Sequence, residues 1–83
     1  MTREEIREKI LHGLKEQFGS TFANQSITDA TQIIEDLAAD SLDLVELTME
    51  LEDTFDIKIT DKESERLTTV GSIIEFIVLR KGN

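Results

Sequence analysis

One serine stands out for its neighbours. Asp40-Ser41-Leu42-Asp43 sets a hydroxyl between carboxylates, after a polar stretch and before a run with helical spacing. The plain reading is helix capping, because serine is a preferred N-cap residue and Asp40 beside it is another. A nucleophilic serine would need a base. The chain has a single histidine, His12, far from Ser41 in sequence, and no cysteine, so a hydrolytic triad cannot be assembled. Acid pairs are frequent, but carboxylates on a solvated stripe without a cleft make poor acid–base catalysts. His12 reads as a surface or boundary residue. The chain is therefore expected to be handled by enzymes rather than to be one, with no catalytic residue of its own.

Charge narrows the field further. Eighteen acids against 9 bases leave a net charge of −9. Nucleic acid is excluded as a partner, since its phosphates would be repelled. Basic protein surfaces, approached with electrostatic steering, are favoured instead. The distribution sharpens this. No Lys or Arg occurs between Lys15 and Lys58, while Asp40, Asp43, Glu46, Glu50 and Asp53 all fall there. An acidic helical calcium-binding or adaptor protein is the remote alternative of another class. An EF-hand loop needs oxygen ligands at its first, third, fifth and twelfth positions and a central glycine. From Asp36 the third position is Ala38, from Asp53 it is Phe55, and no candidate loop carries the glycine. No metal site is expected.

Eighty-three residues make one domain, and a domain that small buries only about 60–65% of its unfolded surface. Four Phe with no Trp or Tyr make a roomy pocket lined with catalytic groups unexpected. No apolar run approaches the roughly 18 residues of a membrane span, and the charged start Thr2-Arg3-Glu4-Glu5 does not resemble a signal peptide. A monomer in the cytoplasm, not inserted in a membrane, is expected.

The elements that would position Ser41 follow from spacing. Thr2 and Glu5 form a capping-box pattern, and Ile6, Ile10, Leu11, Leu14 and Phe18 recur at helical intervals. This predicts a helix over 3–18, closed by Gly19. Residues 20–40 have no period. Their isoleucines, Ile27, Ile33 and Ile34, with Leu37, indicate a long loop pinned onto the core. A helix over 41–55 follows. Asp56-Ile57-Lys58-Ile59 is too short for a strand. Thr60 and Glu63 repeat the capping-box spacing and start a short helix ending near Leu67. A last helix runs from about Thr69 to Lys81-Gly82, with Val70, Ile73, Ile74, Ile77 and Val78 on one side. The fold class is all-α, a four-helix bundle of three main helices and one short one, with a long loop between the first and second.

At about 100° per residue the helix over 41–55 sorts into three stripes. Leu44, Leu47, Leu51 and Phe55, with Thr48 at the edge, form one. Asp43, Glu46, Glu50 and Asp53 form the second, and Leu42, Val45 and Met49 the third. One apolar stripe suffices to dock a helix. The other is either wrapped by the bundle or left partly exposed as the apolar centre of an acid-rimmed docking surface. The acidic stripe forgoes i,i+4 pairs of opposite sign and carries like-charge neighbours instead, which fits partner binding.

The string Glu35-Asp36-Leu37-Ala38-Ala39-Asp40-Ser41-Leu42-Asp43, with Val45-Glu46-Leu47, Met49, Leu51-Glu52 and Phe55-Asp56-Ile57 after it, closely resembles the acyl carrier protein family in its freestanding bacterial form. The likeness continues through Ile59, Asp61, Thr68-Thr69-Val70 and the apolar positions up to Ile77. It implies that residues 1–83 are one acyl-carrier domain and that Ser41 receives 4′-phosphopantetheine from coenzyme A through a phosphopantetheinyl transferase. The thiol of that arm then holds acyl groups as thioesters. It also implies that Asp40, Leu42, Asp43, Val45, Glu46 and Met49, beside Glu50 and Asp53 of the acidic stripe, face partners: acyl synthases, reductases, dehydratases and acyltransferases with basic surfaces. Asp40 would help position the transferase's metal, and in fatty-acid members acyl chains slip between the helices. Type II fatty acid biosynthesis is the expected pathway. The alternative is a specialised carrier for polyketide, aminoacyl or cell-envelope lipid synthesis. Three positions depart from the family pattern: Ala38 where glycine is frequent, Thr60 where proline often starts the short helix, and Leu44 where a smaller or polar residue is common.

Overall fold

The computed structural model describes residues 2–23 and 26–81 and contains five helices: α1 (Arg3–Ala23), α2 (Ile33–Asp36), α3 (Ser41–Phe55), α4 (Asp61–Ser64) and α5 (Val70–Lys81). α1 begins on the expected box. The Glu5 amide donates to Thr2 Oγ1 and the Thr2 amide to Glu5 Oε1, both at 3.1 Å, which satisfies two otherwise orphaned donors. These hydrogen bonds from Thr2, backbone first and hydroxyl second, hold the Glu5 carboxyl below its ordinary pKa. Ile6, Ile10 and Leu14 are buried, with Leu11 and Phe18 partly so. Regular helix ends at Gly19, whose φ of 51° is open to glycine at little steric cost. A further helical turn then runs to Ala23, beyond the expected end, so the loop starts later than its polar composition indicates.

The loop is not featureless. It contains α2, a single turn, and this fifth helix is an addition to the four expected from the sequence. The Asp36 carboxylate accepts from the Gln32 amide at 2.8 Å at its start. Ile33 and Leu37 are buried and Ile27 half-buried, as pinning residues should be. Ile34 is not one of them. It is 51% exposed, because the α2 turn rotates it about 100° from buried Ile33.

Loop and last helix are joined through the start of α5. Val70 donates its amide to the Thr31 carbonyl at 3.0 Å and Gly71 to that of Asp29 at 2.8 Å, while Ile33 donates to Thr68 at 2.9 Å. Two of the four donors that any helix N-terminus leaves unpaired are thus taken up by the loop. Ser72 and Thr69 exchange the capping bonds that complete the turn. Val70, Ile73, Ile74 and Ile77 on α5 are fully buried and Val78 partly so. The expected end of this helix at Gly82 lies outside the described residues.

α4 has the predicted Thr60–Glu63 box, with Thr60 supplying the side-chain cap. The helix stops at Ser64 instead of near Leu67, and residues 65–66 form a turn that returns buried Leu67 to the core.

Candidate functional site

α3 opens on Asp40. Its Oδ1 accepts from the Asp43 amide at 2.8 Å, and Asp43 Oδ2 accepts from the Asp40 amide at 3.1 Å. Capping therefore belongs to Asp40, with Asp43 completing the box. Ser41 is the first residue of α3, exposed and free of that duty. A hydroxyl with no structural task, at the positive end of a 15-residue helix, is accessible to a modifying enzyme and electrostatically suited to carry an anion. The two capping carboxylates stand beside it, so the helix dipole and two negative charges act on the same hydroxyl.

The three stripes of α3 separate as the wheel predicts. Leu47, Leu51 and Phe55 are buried, and Leu44 packs against them half-buried. Glu46, Glu50 and Asp53 are exposed and Asp43 is half-buried. The third stripe is resolved in favour of exposure: Leu42 is 65%, Val45 54% and Met49 59% accessible. The bundle does not wrap α3: its third stripe is left uncovered. Ion pairs form elsewhere. Arg3 reaches Asp29 and Glu75, Arg7 reaches Asp29 and Arg80 reaches Glu63. Among the described residues no α3 carboxylate is in an ion pair, and no group of three or more His, Asp or Glu side chains could hold a metal ion. His12 is a surface residue, as expected.

Two residues of α1 lie against the acidic side of α3. Gln17 of α1 donates its side-chain amide to the Asp43 carbonyl at 2.7 Å. Gly13 leaves room for Glu50, whose Oε1 would lie 3.3 Å from a Cβ at that position. Glu50 thus lies beside α1.

Next to Ser41 a cleft of about 340 Å³ runs between α3 and the segment containing α4. Leu44, Leu47, Leu51, Ile59 and Leu67 form its apolar lining together with Val45 and Met49 of the exposed stripe, and Ser41, Thr48, Glu52, Asp61, Ser64 and Glu65 lie along it. The cleft forms because Ile59 and Leu67 anchor the two ends of a short helix that buries nothing itself. The spacing of those two residues around a capped turn was the available signal. Glu52 Oε2 accepts from the Ile59 amide at 2.8 Å and ties the far wall to α3. The Glu63 carboxyl is held below its ordinary pKa chiefly by the Thr60 amide, with Arg80 adding to the effect and desolvation opposing it.

The family described as "Phosphopantetheine attachment site" matches residues 9–77. The acyl carrier protein of Thermotoga maritima is 38% identical over 98% of this chain and 98% of its own. That of Lactobacillus johnsonii is 46% identical over 93% of this chain and 94% of its own. The solved acyl carrier protein from Enterococcus faecalis superposes with a TM-score of 0.79 at 37% identity, covering 95% of this chain and 98% of that one. The fold and the match to an attachment-site domain define a phosphopantetheine-bearing helical bundle. Within that class, the chain belongs to the acyl carrier protein family, and its cofactor is covalently attached 4′-phosphopantetheine.

Proposed function

We propose that Ser41 is the attachment residue and that the protein carries acyl intermediates as thioesters in type II fatty acid biosynthesis. The observation that carries this reading is the position of Ser41: exposed, first in α3, relieved of capping by Asp40, and beside an aliphatic cleft. The residues present fit the cofactor. The first turn of α3 offers amides and a favourable dipole to a phosphodiester. When bound, the group supplies the thiol that a cysteine-free chain lacks. The cleft, open beside that serine, offers alkyl chains an escape from water worth about 0.8 kcal/mol per buried methylene.

The protein acts as a non-catalytic carrier and a substrate of others: a phosphopantetheinyl transferase, then synthases, reductases, dehydratases and acyltransferases with basic surfaces. Leu42, Val45 and Met49 form the apolar centre of the docking face, and Asp40, Asp43, Glu46, Glu50 and Asp53 its charged surroundings. An apolar patch with a charged rim gives rapid, steered and reversible docking. It works as a monomer in the cytoplasm. Among the described residues, no helix is long and apolar enough to cross a membrane.

Incubation with coenzyme A and a broad-specificity transferase, followed by intact-mass measurement, tests the assignment. A single addition is expected, and Ser41→Ala abolishes it. An addition that persists in Ser41→Ala refutes the site.

A further inference from the structure

The two walls of the cleft are held differently. α3 is a 15-residue helix seated through Leu47, Leu51 and Phe55. The opposite wall contains α4, four residues long with none of them buried. Its backbone bonds close within the segment: Ser64 to Thr60, Glu65 to Asp61, Arg66 to Glu63 and Leu67 to Ser64. Ile59 and Leu67 anchor its ends, and between them one side chain from α5 grips it. Arg80 Nη2 donates to both Glu63 carboxylate oxygens at 3.0 and 2.8 Å, and Nη1 donates to the Lys58 carbonyl at 2.7 Å. The guanidinium lies 5.0 Å from the centroid of the Phe76 ring. About two-thirds of each partner's side chain is shielded, at 34% and 32% exposure. A planar fork that meets a carboxylate with two bonds and a carbonyl with a third fixes direction as well as distance.

We propose that Arg80 is a positioning residue for the acyl cargo: by clamping Lys58 and Glu63 it sets how far the α4 wall swings from α3, and so how long an alkyl chain the cleft takes. The inference rests on the acyl-carrier reading of the cleft. With Ile59 and Leu67 fixed in the core, the turn between them moves outward only if the fork lets go. A short chain fits without that movement and a long one requires it. The clamp thus converts a chain-length difference into a difference in fit.

Wild type and Arg80→Ala, each loaded at the arm with acetyl, hexanoyl, octanoyl or dodecanoyl groups, are compared by thermal unfolding. In wild type the Tm rises with chain length above that of the acetyl form and then levels off. Arg80→Ala has a lower Tm throughout, and its rise continues to longer chains. Arg80→Lys, which keeps the charge without the fork, falls between the two. Glu63→Gln keeps an acceptor for the Thr60 amide while weakening the grip, and shifts the limit in the same direction if Arg80→Ala does not fold. A uniform drop in Tm with the length profile unmoved, or a limit moved to shorter chains, overturns the proposal and leaves Arg80 a structural residue. A wild-type Tm indifferent to chain length overturns the cleft reading itself, and this inference with it.

Discussion

Gly71 donates its amide to the Asp29 carbonyl at 2.8 Å, so closely that a Cβ on Gly71 would stand 2.9 Å from the same oxygen. This contact fastens the long loop to the start of α5, and the obstacle to a side chain is backbone. Gly71→Ala gains about 1 kcal/mol of helix propensity but forces one element away from the other at a cost of about 1–3 kcal/mol. The variant is expected to lose up to about 2 kcal/mol in urea unfolding.

Gly13 gives the opposite sign. The nearest atom to a Cβ there is Glu50 Oε1 at 3.3 Å, the free end of an exposed side chain that can turn away. Gly13→Ala should therefore stabilise the protein by about 0.5–1 kcal/mol through helix propensity. A destabilised variant would show that Glu50 is held against α1 firmly.

Ala38 sits at φ 55°, in the left-handed region. That accounts for glycine being frequent in the family at this point, where the chain bends into the serine-bearing helix. The conformation costs a non-glycine residue about 1–2 kcal/mol, offset in part by the greater unfolded-state freedom of glycine. Ala38→Gly is expected to raise stability by about 0.5–1 kcal/mol with Ser41 loading unchanged.

Glu5 and Glu63 both have carboxyls held below their ordinary pKa in the folded protein. A depressed folded pKa means that the unfolded chain binds the proton more readily. The stabilisation is therefore complete above the ordinary glutamate range and is lost as pH falls through it towards the lower folded values. Stability curves measured from neutral pH downward should fall on that limb. The deficit of Glu63→Gln relative to wild type should be largest near neutral pH and narrow as acid is added. A deficit that grows with acid would reverse the sign.

Glu46→Lys separates docking from folding. The side chain is exposed and outside every ion pair among the described residues, so the fold should tolerate the change and even lose some like-charge repulsion. Affinity for a basic partner enzyme should fall by roughly 1 kcal/mol, about fivefold, with a weaker salt dependence. Normal binding by the variant would remove Glu46 from the docking face.

The parts of this protein that obey local rules were legible from residues alone. The capping boxes at Thr2 and Thr60, the span of α3 and the three stripes along it all depend on neighbours three or four positions apart. What escaped depends on contacts distant in sequence. Whether Leu42, Val45 and Met49 are covered is decided by where α1 and α5 pass, which no helical wheel contains. Ile34 resembles its buried neighbour in chemistry and differs only in rotation about a turn that composition does not announce. The cleft requires knowing that Ile59 and Leu67 are both anchored while α4 between them is not. Arg80 reads as a charge suited to the end of its own helix, although it spends three hydrogen bonds on residues 17 and 22 positions away.

Lys81 adds an engineering consequence. Its Nζ donates to the Phe55 carbonyl at 2.8 Å, so the far end of α3 is sealed by a lysine from the last turn of α5. Trimming the polypeptide after Leu79 would strip that bond from the far end of the serine-bearing helix, leaving it only the backbone closure at Asp56, and a shortened version would report the frailty of the trim. Affinity handles placed downstream of Lys81 leave that seal intact.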